Sequence, residues 1–469
     1  MKPFLKGLFA TEEVDQDRRL RMVLAALLLY YYVTFYNWWK GAASALSTKG
    51  TESFNYVPTW VFENCRGLIF LDHFQTKVYL WLLGMLALVG VFWLFYRDDS
   101  LGPTLILAFL FVNKLFFYMM DLRLMANFHH LHLLYTFVFL ISRAKLFYFR
   151  LGLATSYWMS AFIKFTPSWL YGDYFNSVLG KLPLLPHNAM VVTVLMQGVI
   201  VMEVIGPFCW FSKRAWLRNL SLAVFGAFHA YSGLLVGYKY TTLMFSCLIP
   251  AFLDFDQPMH RGYQFQRRDL APIAFLGLAL LGGLYHFTIP GDVRLTAEGR
   301  YLGVFMFDAN RSVLFHGKVV KGKKTYEFWV KRPWRNGAIL EDGSIESNTD
   351  YQVWGSIKTG DQVRRKRKIV GSLRDGDEIV FNPRMFTSAQ VRTFGDPYLY
   401  YFWAKQLQRR YKPDKISLEL FQQLDGHVES FQLLDIDDFA ALNPHYSGFR
   451  HNEWIHLPGP DTEQTYRWW

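Results

Sequence analysis

The chain has 469 residues, a formal net charge of +12 and a hydrophobic content of 52%, and 18% of its residues are aromatic. The apolar residues are concentrated before Pro290, and this aromatic content exceeds that of ordinary soluble enzymes, which excludes a wholly soluble protein. Three cysteines exclude a disulfide-stabilised scaffold. The positive charge is expected in cytoplasmic loops and at lipid headgroups rather than on a nucleic-acid interface.

The apolar residues form nine stretches that approach the roughly 20 residues a helix needs to cross a bilayer. The first stretch lies behind Arg18, Arg19 and Arg21 and lacks a small-residue cleavage site, so we expect it to insert without being removed. The sequence therefore predicts a polytopic α-helical membrane bundle of about nine spans, forming a domain over residues 1–290. The predicted spans are 22–38, 78–96, 103–120, 130–142, 151–165, 190–211, 217–236, 241–254 and 272–289.

Basic residues recur in the loops on one side of this bundle. They precede the first span and separate the fourth from the fifth, the sixth from the seventh and the eighth from the ninth. By the positive-inside rule these loops and the N-terminus are cytoplasmic, and an odd number of spans puts the chain after Pro290 outside. The residues are Lys2, Lys6, Arg18, Arg19, Arg21, Arg143, Lys145, Arg150, Lys213, Arg214, Arg218, Arg261, Arg267 and Arg268.

Residues 291–469 are predicted to form a β-rich extracytoplasmic domain with one helix. The helix is expected at about 397–411, because Asp396 suits an N-cap and Pro397 the first helical position. The basic run 364–368 is predicted to be a solvated loop, with binding to headgroups or to an acidic peptide as alternatives. Two pairs of segments around turns predict β-hairpins. They are 312–320 with 325–331 around Gly322, and 417–424 with 428–434 around Gly426.

Ionisable residues occur inside the predicted spans, where they are costly unless they face the bundle interior. Lys164 ends the fifth span. It either extends to the outer interface or lies in an apolar pocket, where desolvation would favour a neutral amine able to accept a proton. Glu203, in the sixth span, is expected to bond to another helix. His229 lies in the seventh span.

Three histidines, His129, His130 and His132, open the fourth span. A metal site is not favoured, because His130 and His132 point about 200° apart on a helix and no second ligand motif accompanies them. Hydrogen bonds within the bundle are expected for at least two of the three, and no metal is predicted.

The order and spacing of several segments carry a resemblance to a known family. The histidine-bearing segment 130–137 precedes the stretch 162–169, which contains Lys164, and Gly172 follows. Further on come Glu203 and the pair Phe228-His229. Together these segments resemble the transmembrane HTTM domain that vitamin K-dependent γ-glutamyl carboxylases share with their bacterial relatives.

The resemblance continues beyond the spans. Segment 305–312 resembles a methionine-bearing stretch of the family that ends in Arg-Ser, and the regions 386–411 and 443–454 match its final strands in pattern. The similarity covers most of the chain from about residue 20 to 456. This chain has Ala309 where animal members of the family have a histidine.

The resemblance implies roles for individual residues. Lys164 would deprotonate the hydroquinone, His130 would be its partner in the pocket, and Glu203 would be a structural polar residue. The resemblance places His229, Met306 and Trp169 at the cofactor. It places Arg311, Arg450 and Trp454 at the peptide glutamate.

The resemblance also implies an activity, which is carboxylation of peptide glutamate coupled to epoxidation of reduced vitamin K. The implied cofactors are reduced vitamin K, O2 and CO2, without a metal. The implied partners are a lipid quinone and a glutamate-containing peptide or protein, and the implied location is a bacterial inner membrane. Two alternatives stay open. One is a quinol epoxidase or oxidase without carboxylation, which Ala309 allows, and the other is a transporter or sensor of the same fold.

Overall fold

The computed structural model describes the greater part of the chain. The described ranges are 2–43, 46–47, 57–65, 68–172, 174, 184, 188–236, 238–252, 265–300, 303, 311–332, 338–339, 345–346, 352–359, 362–366, 395–425 and 430–458.

Long helices dominate the described residues before 290, and each predicted span coincides with one of them. Two short helices, α1 (Lys2–Phe9) and α2 (Thr11–Gln16), precede them, and the short α8 (Pro167–Leu170) follows α7. The long helices are α3 (Arg18–Gly41), α4 (His73–Tyr96), α5 (Leu101–Met120), α6 (Asn127–Ile141), α7 (Lys145–Phe162), α9 (Ala189–Trp210), α10 (Ala215–Val236), α11 (Tyr238–Ala251) and α12 (Leu270–Leu284).

Among the described residues, five segments are long and apolar enough to cross a membrane. They are the helices α3, α4, α5 and α9, and the segment Arg267–Thr288, which contains α12. The remaining long helices are shorter or less apolar, so the prediction of nine spans stays a prediction. The coarser prediction, a largely helical membrane bundle, agrees with these five segments.

Polar side chains fix where several helices begin. Asp72 and Gln75 form a reciprocal capping box at the start of α4, and the side chain of Asn188 accepts from the backbone N–H of Val191 at the start of α9. These contacts satisfy backbone donors that a helix leaves free at its first turn. The apolar faces of the long helices then pack into one continuous core.

An antiparallel sheet follows the bundle in the chain. Its six strands lie in the order β6-β5-β2-β1-β7-β8. The short strands β3 (Ala338–Ile339) and β4 (Ile345–Glu346) pair separately. The strands of the main sheet are β1 (Arg311–Lys321), β2 (Lys324–Arg332), β5 (Gln352–Thr359), β6 (Gln362–Lys366), β7 (Lys415–Leu424) and β8 (Phe431–Ile436).

Both predicted hairpins are present as paired strands. Lys321 pairs with Lys324 across a turn in which Gly322 has a φ of +57°, a conformation that favours glycine. β7 pairs with β8, and Asp425, the residue after β7, has a φ of +52°, whereas Gly426 lies outside the described residues. The prediction of a loop at 364–368 was wrong for residues 364–366, which belong to β6. β6 is an edge strand, where basic side chains discourage pairing with other chains.

The predicted helix is also confirmed, as α14 (Pro397–Tyr411), and it packs on one face of the sheet. Two one-turn helices, α13 (Val293–Thr296) and α15 (Phe439–Leu442), lie before and after it in the chain. The side chain of Asp396 accepts from the backbone N–H of Tyr398 and so caps the helix. Trp403 packs against β1 at Gly317, where a Cβ would lie about 2.9 Å from the indole. A glycine in the middle of this strand is therefore required for close approach of the helix.

Candidate functional site

Lys164 lies just beyond the C-terminal end of α7. Its backbone N–H donates to the carbonyl of Ala161, so the helical turn extends as far as the lysine. The side chain is 2% exposed. Of the two arrangements predicted for Lys164, the structure therefore has the buried one, and the ammonium does not extend to an interface.

Three acceptors surround the Nζ atom of Lys164. The amine donates to Oε2 of Glu203 at 2.6 Å, to Oγ of Ser160 at 2.6 Å and to the carbonyl of Ser160 at 3.0 Å. Ser160 in turn donates from Oγ to Oε1 of Glu203 at 3.3 Å. Three acceptors match the three N–H groups of an ammonium, so this geometry is that of a buried ion pair. The prediction that Glu203 bonds to another helix is confirmed.

An aromatic and apolar wall adjoins this pair. The Nζ atom of Lys164 lies 5.2 Å from the ring centroid of Trp169, which is within cation–π range. Trp169 packs against apolar residues of α9, the helix that carries Glu203. Gly172 has a φ of +83°, and a Cβ there would clash with Oγ1 of Thr193 on α9. The glycine thus allows the chain after α8 to pass close to α9.

His229 of α10 borders the same part of the bundle. Its Nε2 atom hydrogen bonds with the hydroxyl of Tyr157, which lies on α7 about two turns before Lys164. The Nδ1 atom of His229 is buried and has no partner among the described residues. An unpaired buried nitrogen is costly, which makes this atom a candidate for contacting a ligand.

His130 is partly buried on α6. Within the described ranges, no contact joins His130 to Lys164 or Glu203. The structure therefore brings together Lys164, Glu203 and Trp169, holds His229 against Tyr157 on α7, and leaves His130 outside this group.

The histidines next to His130 belong to a second buried cluster, the Lys114 cluster. The Nζ atom of Lys114 lies 2.7 Å from Nδ1 of His132 and 3.3 Å from Oγ1 of Thr34. The indole of Trp38 donates to Nε2 of His129 at 3.2 Å. Hydrogen bonds thus hold two of the three histidines inside the bundle, as the sequence predicted.

Two residues of these clusters were missed in the sequence. Lys114 lies inside the predicted third span, and the rule that intramembrane charges are functional candidates would have found it. Ser160 lies four residues before Lys164, and residues at this spacing share one face of a helix, so it too could have been identified.

A buried polar junction joins the bundle to the sheet region. Ser168 donates to Oδ2 of Asp425 at 2.6 Å, and the same carboxylate lies 3.3 Å from Nη1 of Arg294. Arg294 also forms a bidentate ion pair with Asp292. Arg311 donates from Nε to the carbonyl of Arg294 at 2.8 Å and is 2% exposed. The junction therefore links the predicted substrate residue Arg311 to the short helix α8 that carries Trp169.

The other residues predicted at the substrate lie elsewhere. Trp454 stacks on Tyr401 with ring centroids 5.6 Å apart, and its indole donates to the carbonyl of His445 at 3.2 Å. Trp454 therefore packs against the core of the sheet region, while Arg450 is exposed. Met306 lies outside the described residues.

In the described part of the chain, no group of three or more His, Cys, Asp or Glu side chains could hold a metal ion.

Comparison with protein-family models, with curated proteins and with solved structures finds no match. A buried amine and carboxylate that share a proton can accept one further proton from a neighbouring acid.

Proposed function

We propose that this chain is a vitamin K-dependent γ-glutamyl carboxylase of the bacterial inner membrane, with the Lys164–Glu203 pair as its proton acceptor. The observation that carries the proposal is the buried position of Lys164, 2.6 Å from Glu203 and adjacent to the Trp169 indole. Lys164 is the residue to which the family resemblance assigns the base. Structural ion pairs also occur in membrane bundles, so the proposal rests on the position and on the resemblance together.

The residues around the pair fit a reduced quinone. A hydroquinone has a flat apolar ring, which suits the Trp169 indole, and two hydroxyl groups, which need polar partners. The Lys164–Glu203 pair provides an acceptor for one hydroxyl. The unpartnered Nδ1 atom of His229 provides a second polar atom in the same part of the bundle.

The proton balance of the pair follows from its charges. In the resting form Lys164 is an ammonium and Glu203 a carboxylate. Lys164 passes one proton to Oε2 of Glu203 and takes the phenolic proton of the quinol in its place, so both residues end protonated. The pair gains a charge of +1 as the quinol gains −1, and the buried site as a whole stays neutral. This neutrality matters because uncompensated charge is expensive in a low-dielectric interior.

The remaining chemistry belongs to the cofactor and the peptide. Reaction of the deprotonated quinol with O2 supplies a base strong enough to remove the γ-proton of a glutamate, which then captures CO2. The chain contributes by excluding water around Lys164 and by orienting the amine through Ser160 and Glu203. With nine spans and a cytoplasmic N-terminus, Lys164 lies at the outer ends of the helices. Arg311 and the sheet region then receive the peptide from outside.

One assay tests the proposal. The purified protein in lipid receives reduced vitamin K, labelled bicarbonate and a glutamate-containing peptide, and both epoxide and fixed label are measured. We expect both products in a fixed ratio. Epoxide without fixed label would identify a quinol epoxidase. Neither product, from a protein shown to be folded, would favour a transporter or sensor and overturn the proposal.

A further inference from the structure

A large groove lies at one end of the bundle, between α3 and α11, and the last turn of α4 closes one side. Its volume is about 1350 Å³. This exceeds the roughly 300–1,000 Å³ of sites that bind drug-sized molecules. The groove is lined by none of the residues of the Lys164–Glu203 site. It is therefore separate from that site and has room for a ligand larger than a small metabolite.

The walls of the groove are mostly apolar. Arg18 lines one end of it and Val33 lies 15 residues further along α3, which corresponds to about 22 Å of helix at 1.5 Å per residue. Apolar side chains at its edge are open to the surroundings, with Leu29 44% and Phe95 76% exposed. A trough of this length covers most of the roughly 30 Å hydrocarbon thickness of a bilayer and is accessible from lipid.

Two acidic and two basic residues line the charged end of the groove, namely Asp15, Asp98, Arg18 and Arg21. Asp15 accepts from the backbone N–H of Ser100 at 2.8 Å and lies 3.6 Å from Nζ of Lys6. Asp98 pairs with Arg21 at 3.2 Å. Both acidic side chains of the lining therefore have a basic partner, although Lys6 also contacts Asp99 at 3.3 Å.

Arg18 remains uncompensated at this end. It is exposed and lines the groove, and it has no ion-pair partner in the described part of the chain. The groove thus combines an apolar trough with one unpaired cation at its mouth.

We propose that this groove binds one anionic phospholipid, with its acyl chains along α3 and α11 and its phosphate at Arg18. The apolar walls of the groove receive the acyl chains without burying a polar group. The guanidinium of Arg18 then favours a negatively charged headgroup. A zwitterionic phospholipid carries its own cation, which competes with Arg18 for the phosphate, so net charge decides between the two. This inference requires the bundle to lie in a membrane but does not depend on the proposed chemistry.

The test is native mass spectrometry of the full chain released from detergent, after delipidation and addition of phosphatidylglycerol or phosphatidylcholine. We expect one retained phosphatidylglycerol per chain and a preference over phosphatidylcholine of roughly fivefold, the factor expected of one basic side chain at a membrane surface. Arg18→Ala should remove this preference, whereas Arg18→Lys should keep it. Arg214→Ala, which removes an exposed arginine outside the groove, should leave it unchanged.

A second pair of variants tests the trough. Leu29→Trp fills the groove from its open edge and should reduce retention of either lipid, while Val89→Trp, at an exposed apolar position outside the groove, should not. Equal retention of the two lipids, or equal effects of Arg18→Ala and Arg214→Ala, would overturn the proposal. Failure to retain lipid, or retention of a quinone in its place, would do the same.

Discussion

The Nζ atom of Lys164 lies 2.6 Å from Oε2 of Glu203, and both side chains are only 2% exposed. The two residues come from different parts of the bundle, one after α7 and the other on α9. A buried pair of this kind has consequences for stability and for chemistry that can be measured separately.

The first prediction concerns stability alone. Lys164→Met leaves the carboxyl group of Glu203 buried without its partner, so we expect a loss of about 3–5 kcal/mol. The double variant Lys164→Met with Glu203→Met removes both charges and should recover most of that loss. Thermal unfolding of the protein in detergent measures both, with the exposed Lys213→Met as control. A double variant no more stable than Lys164→Met would mean that the two residues are not coupled.

The second prediction concerns the direction of proton transfer. Arginine keeps the charge of Lys164 but cannot release a proton, so Lys164→Arg should abolish both epoxide and carboxylated product while the protein remains folded. Glu203→Gln leaves an amine that can still accept a proton, so we expect reduced but measurable activity. The assay with reduced vitamin K reads both. Activity in Lys164→Arg together with none in Glu203→Gln would instead identify the carboxylate as the acceptor.

The third prediction concerns Arg311 at the junction. Arg311→Ala removes the donor to the Arg294 carbonyl and a fixed charge suited to a carboxylate. We expect peptide carboxylation to fall more than quinone epoxidation. Lys318→Ala, at an exposed position on the same strand, should change neither product. Equal loss of both products in Arg311→Ala would make Arg311 a residue of the fold or of the cofactor site.

The fourth prediction concerns orientation in the membrane. Basic residues lie in loops on one side, so the N-terminus should be cytoplasmic and the C-terminal end outside. Alkaline phosphatase fused after Trp469 should be active, and the same enzyme fused after Ser212, in the loop between α9 and α10, should be inactive. The reverse pattern would show the opposite orientation and would place Lys164 at the cytoplasmic ends of the helices.

The fifth prediction concerns pH. Burial raises the pKa of the Asp396 carboxyl to about 7, despite the opposing effects of Arg300, of the Tyr398 N–H and of Arg311. A folded-state pKa above the unfolded value means that unfolding releases a proton between about pH 4 and 7. Stability from this group is therefore present at low pH and is lost as the pH rises to 7.

Asp396→Asn keeps the N-cap and removes the titration. Relative to the wild type, this variant should gain stability with rising pH between about 4 and 7, up to a few kcal/mol. Thermal unfolding across this pH range measures the difference in stability between the variant and the wild type. Other groups titrate in both proteins, so their contributions cancel in this difference. A constant difference between the two proteins would contradict the pKa shift.

The sequence alone located the long helices of the bundle, two hairpins and one helix of the C-terminal region. Each predicted span coincides with a helix, and the β1–β2 hairpin and α14 lie where the alternation around Gly322 and the Asp396-Pro397 start placed them. These features could be predicted because apolar length, alternation and capping are properties of neighbouring residues. The strand at 364–366 could not be predicted, because an edge strand of basic residues lacks the alternation of apolar and polar residues that indicates a strand.

Only the tertiary structure decided which polar groups meet. Glu203 is 39 residues from Lys164, and Asp425 is 257 residues from Ser168, so no local pattern relates them. Likewise, the sequence located the span that carries the histidines, but it did not show that Lys114 contacts His132. These contacts depend on how each helix is rotated about its axis and packed against its neighbours. Core packing sets that rotation across the whole bundle, and no single segment encodes it.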